Sequence, residues 1–150
     1  MVTELVQKIT VPVVVKGIQH PDDAMQAKLA DCKAVWLSNH GGRVNETDQS
    51  LMQELVRVRK VVGENFPLVI DGGFRTGSDI AKALLLGATH IAFGRPLIHG
   101  LVEDGSRGIE SVIRIAQSEL EKMLGALGVT DIRDLPKHIG QIGFWQEQSC

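Results

Sequence analysis

The sequence has no tyrosine, and aromatic residues of every kind make up only 4% of it. Cysteine is scarce too: Cys32 and Cys150 are the whole complement, without CxxC or zinc-type spacing. Two cysteines are too few for a disulfide framework, so a reducing cytoplasm is the expected compartment. No apolar run approaches the ~20 residues that span a bilayer. Met1 to Thr10 lacks a signal peptide's basic start and apolar middle, so neither a transmembrane segment nor a leader is expected. Neither sign of charge dominates: 16 Lys and Arg stand against 18 Asp and Glu, a formal net charge of -2, which gives no pull towards nucleic acid. HExxH, GxSxG, P-loop and GxGxxG patterns are absent. His20, His90, His99 and His138 have no partners at ligand spacing, so no metal site is expected and these histidines read as surface or connection residues.

What is present is a regular alternation within 150 residues, of which 43% are hydrophobic, enough for one domain with a sizeable core. Val11 to Val15 reads as a β-branched strand ending at Lys16-Gly17. Pro21-Asp22-Asp23 opens a helix that ends near Asp31, and Ala34 to Leu37 is a second strand. Leu51, Leu55, Val58 and Val62 keep helical spacing, with Gly63 as the stop. Pro67 to Ile70 is a third strand, Thr76 opens a third helix running to Leu86-Gly87, and His90 to Phe93 is a fourth strand. A last long helix is expected from Gly108 to Leu127. Residues 136–150 form a tail without a clear period. The fold class is α/β: four consecutive βα units with parallel strands, apolar on both faces, joined by right-handed crossovers.

Residues with chemical potential cluster after each strand, where α/β folds carry their sites. Asp71-Gly72-Gly73-Phe74-Arg75 and Gly94-Arg95 combine glycine amides open to an anion with arginine forks that grip its oxygens. Either loop alone reads equally well as a tight turn with a surface arginine. Two on consecutive strands favour a phosphate site. Lys16 would place a positive charge beside a group that becomes anionic, although an isolated lysine at a strand end is more often simply solvated. In Ser38-Asn39-His40-Gly41-Gly42-Arg43 the glycines open space around a titratable imidazole with an arginine three residues on.

Taken in order, Val15-Lys16-Gly17, Ser38 to Arg43, Asp71 to Gly77, and Lys82 to Ala88 with Gly94-Arg95-Pro96 resemble the FMN-dependent α-hydroxy-acid oxidases and dehydrogenases. That family includes L-lactate dehydrogenases and glycolate oxidases. The resemblance covers roughly Val11 to Leu135 and implies the C-terminal half of a TIM (β/α)8 barrel, a fold of about 250 residues when whole. It implies FMN as cofactor, a small L-2-hydroxy acid as substrate and a 2-keto acid as product. His40 is then the base, and Arg43 the substrate's carboxylate clamp. Lys16 stands beside the flavin ring, Ser38 is a flavin-side contact, and Asp71, Gly72, Gly73, Arg75, Gly94 and Arg95 hold the ribityl chain and phosphate. The family's first half normally supplies an aspartate that orients the histidine and tyrosine hydroxyls. A half-barrel therefore implies a homo-oligomer or a complementing N-terminal half. The rival expectation is an inert FMN- or phosphate-binding half-barrel, or a truncated gene product.

Overall fold

A computed structural model describes residues 2–43 and 50–135. The chain runs α1 (Val2–Lys8), β1 (Val14–Ile18), α2 (Pro21–Leu29), β2 (Ala34–Leu37), α3 (Leu51–Val62), β3 (Leu68–Ile70), α4 (Gly77–Leu85), β4 (His90–Ile91) and α5 (Arg95–Ala126). The strands form one parallel sheet in the order β1-β2-β3-β4. Each βα unit thus adds its strand beside the previous one, without the reversal of order that marks a doubly wound sheet. Strands wound in one direction with helices on one face make half the circuit of a (β/α)8 barrel.

The helix-covered face is the core. Val35, Leu37, Leu68 and Ile70 have no exposed surface and pack with Ala24 and Ala27 of α2, Leu55, Val58 and Val62 of α3, and Ala83 of α4. Capping explains why the helices start where they do. Ser50 Oγ accepts from Met52 N at 3.3 Å while Gln53 Oε1 accepts from Ser50 N at 3.3 Å, a reciprocal box at the head of α3. Thr76 and Asp79 repeat the arrangement on α4. Arg59 ties two turns together, donating through Nη2 to Gly87 O at 2.6 Å and through Nη1 to Phe66 O at 2.7 Å. Burial pulls the Arg59 pKa down, partly opposed by the charge of Glu64.

The other sheet face corrects the expectation of strands apolar on both sides. The pairing aligns Lys16, Trp36, Val69 and His90 in one row across the sheet, so two charged or titratable side chains and an indole interrupt that face. Val14, on the same face of β1, is 46% exposed.

The first strand is also displaced. Pro12 has no N–H to give a ladder, and the strand begins at Val14; a bulge between Lys16 and Ile18, with Gly17 at φ +95°, carries it past Lys16. The third and fourth strands are shorter than expected. The last helix begins earlier, at Arg95, and contains a break at Asp104 and Gly105. Its two arms touch through Gly100 and Gly108, where an added Cβ on Gly108 would lie 1.8 Å from Gly100 O. The tail from 136 to 150 lies outside the described residues.

Candidate active site

The site is built where the sheet row of Lys16 and Trp36 meets the loops after β2 and β3. Lys16 lies within β1 rather than after it, and its Nζ donates to Ser38 Oγ at 2.8 Å and pairs with Asp71 Oδ2 at 3.3 Å. One lysine therefore joins the ends of β1, β2 and β3. Ser38 is fully buried and its Oγ also accepts from His40 N at 3.1 Å, so the serine orients both the lysine and the turn that follows. Gln19 Nε2 donates to Ser38 O at 3.3 Å.

Asn39 Oδ1 accepts from Gly41 N at 3.0 Å, closing an Asx turn that feeds a 3-10 turn over His40–Gly42. His40 itself sits at φ +56°, a conformation that non-glycine residues adopt at a cost. The turn brings the imidazole against Gly17. Its Nδ1 is buried without a partner, as is Asp71 Oδ1. Arg43 Nε donates to His40 O at 3.1 Å, tethering the arginine beside the histidine.

A cavity of about 360 Å³ joins these groups. His40, Gly41 and Arg43 line one part, Asp71 to Arg75 another, and Gly94 and Arg95 a third. Lys16 and Ser38 are not on its wall but reach it through Asp71 and the His40 turn. The remaining wall is Trp36, Ala92, Phe93, Pro96 and Ile98, none of which was assigned a role from the sequence. Trp36 was legible in principle, because it lies two residues before Ser38 and strand side chains alternate. His20, by contrast, serves α2, its Nδ1 accepting from Asp22 N at 3.3 Å, and His90 sits beside Thr89 Oγ1 at 3.0 Å. His99 is exposed, and His138 lies outside the described residues, as does the loop Val44 to Gln49 after Arg43.

The cavity suits a phosphorylated, polar cofactor. The N-terminus of α5 at Gly94 has no side-chain cap, and a Cβ built on Gly94 or Gly73 meets nothing within 4 Å, so both backbones lie open. Arg75 and Arg95 line the same space, and a phosphate's charge is favoured by arginines and by a helix N-terminus. The orphaned Asp71 Oδ1 can accept from a ligand hydroxyl or N–H. Among the described residues, no helix is long and apolar enough to cross a membrane.

Known proteins bear this out at the level of family. An L-lactate oxidase of Roseobacter sp. (strain GAI101) is 40% identical over 131 residues, covering 87% of this chain and 35% of that protein. A 2-hydroxyacid oxidase of Dictyostelium discoideum is 40% identical over 128 residues, 85% of this chain and 33% of that protein. The crystal structure of a lactate oxidase of Pediococcus acidilactici superposes with a TM-score of 0.86 at 37% identity, over 91% of this chain and 38% of that one. This chain thus spans about a third of the length of these relatives. The family model for FMN-dependent dehydrogenase matches residues 1–141, and the chain belongs to that family.

Proposed function

We propose that this chain is the cofactor-binding and catalytic half-barrel of an enzyme that oxidises an L-2-hydroxy acid, such as L-lactate or glycolate, to the 2-keto acid. The observation that carries the reading is that His40, Arg43, Arg75 and Arg95 line one cavity. FMN, when bound, would supply the acceptor for the two electrons. Arg75, Arg95, Gly73 and Gly94 would hold its phosphate end, Asp71 its hydroxyls, and Lys16 and Ser38 would stand on the ring side. Arg43 clamps the substrate carboxylate with a planar fork that a point charge cannot reproduce. With Nδ1 buried, Nε2 is the nitrogen of His40 left to take the hydroxyl proton. Arg43, tethered to the His40 carbonyl, fixes the distance between clamp and base.

The sheet face and the two sheet edges that the described residues leave open would be closed by an N-terminal half-barrel or a second copy of this chain, within the cytoplasm. A second reading, a flavin- or phosphate-binding half-barrel without turnover, is favoured by His40 Nδ1, which has no acceptor to orient the ring. Adding L-lactate or glycolate to the FMN-loaded protein distinguishes the two. Bleaching of the flavin absorbance supports oxidation; protein that stays yellow with both acids, alone and with an N-terminal half-barrel added, leaves the inert reading.

A further inference from the structure

Trp36 is the largest side chain on the cavity wall, and the chemistry above gives it no task. Its indole Nε1 donates to Asp71 Oδ2 at 3.1 Å, the same oxygen that Lys16 Nζ approaches at 3.3 Å. Lys16 Nζ also stands 5.1 Å from the centre of the Trp36 ring. The torsion that turns a carboxylate about its own axis is broad and nearly two-fold, so an aspartate held by one donor exchanges its oxygens readily. Two donors converging on Oδ2 remove that freedom. They leave Oδ1, buried and without a partner, as the acceptor Asp71 has to offer.

We propose that Trp36 is a positioning residue: its N–H fixes the Asp71 carboxylate so that Oδ1 is kept for a ligand hydroxyl or N–H, and its ring confines the Lys16 ammonium beside that carboxylate. The identity of the ligand rests on the FMN reading; the hold of Trp36 on Asp71 does not. A tryptophan that merely filled the cavity wall would be replaceable by phenylalanine. One that works through its N–H would not.

The sequence has two tryptophans, so Trp145→Phe leaves one indole, whose ¹⁵N–H resonance can be followed by NMR. Asp71→Asn, which removes the charged acceptor of the indole N–H, is expected to shift the Trp36 signal. A Trp36 signal indifferent to Asp71→Asn overturns the proposal. Flavin-fluorescence quenching supplies the second measurement. Trp36→Phe is expected to weaken FMN binding about ten-fold, the scale of one hydrogen bond to a charged group, and to add nothing in the Asp71→Asn background. Unchanged FMN affinity in Trp36→Phe, or full additivity of the two substitutions, also overturns it. If the unsubstituted chain quenches no flavin, the FMN reading fails while the indole resonance still decides the role of Trp36. Should Trp36→Phe not fold, Asp71→Asn carries the NMR test alone.

Discussion

A Cβ added to Gly17 would stand 3.0 Å from His40 Cε1 and 3.7 Å from Nε2, so the bulge in the first strand and the imidazole in the turn after the second are shaped to each other. Gly17 is also at φ +95°, where any side chain is strained. Gly17→Ala should therefore cost about 1–3 kcal/mol of stability and displace the imidazole. Urea denaturation and the His40 ring resonances would report both; a variant with unchanged midpoint and unchanged resonances would contradict the fit.

His40 and Arg43 are expected to separate base from clamp. In the active assembly, His40→Ala should lower kcat by about 10²- to 10⁴-fold, the usual worth of a general base, and leave FMN bound. Arg43→Lys should act chiefly on KM, raising it by about ten-fold through loss of the planar fork. Steady-state kinetics with parallel flavin spectra separate the two effects. Retained turnover in His40→Ala would refute the base assignment.

The two arginines predict a preference that needs no turnover to measure. Arg75→Ala and Arg95→Ala should each weaken FMN by roughly ten-fold or more while barely changing riboflavin, which lacks the phosphate. Titration of both flavins against each variant gives the ratio. Equal losses for FMN and riboflavin would place the arginines elsewhere on the ligand.

Arg59 lies far from this chemistry, yet it holds carbonyls of the turns after α3 and α4. Arg59→Met should destabilise the fold by about 2–4 kcal/mol, because several carbonyls lose a charged donor at once. Chemical denaturation measures the loss, and a cost below ~1 kcal/mol would mean that water replaces the guanidinium freely.

The α4 cap should be sensitive to acid. Burial pushes the Asp79 carboxyl up, but hydrogen bonds from Arg75 N, Thr76 N and the Thr76 hydroxyl, with the charge of Lys82, outweigh it and leave the pKa below the ordinary value. A folded pKa below the unfolded one contributes stability that is present above about pH 3.9 and lost as pH falls through the folded value. Asp79→Asn should flatten that part of the stability–pH curve, and Thr76→Ala should cost about 1 kcal/mol at neutral pH. An Asp79→Asn curve parallel to that of the unsubstituted chain would remove Asp79 from the account.

Much of this protein could be read along the chain because its signals are local. A continuous apolar run marked β2 as Ala34–Leu37, helical spacing marked Leu51 to Val62 as α3, and Gly63 and Thr76 carry their own capping chemistry. The glycine and arginine spacing that identified the loops is local in the same way. Where the chain was misread, a neighbour distant in sequence decided. Lys16 stays in its strand because Gly17 bulges towards a histidine of the next unit. The last helix doubles back at Asp104 and Gly105, where the missing side chains of Gly100 and Gly108 let its two arms meet.

Residue types alone determined the parallel βα order, the candidate base, clamp and anion loops, and the family these resemble, since each is written in neighbouring positions. Only the tertiary structure decided that one lysine joins three strand ends and that Trp36 shares an aspartate oxygen with it. Only the fold, too, left one face of the sheet carrying charge and, among the described residues, without a covering helix. Those are matters of register and pleat between strands tens of residues apart, and no local pattern encodes which side chains will meet across a sheet.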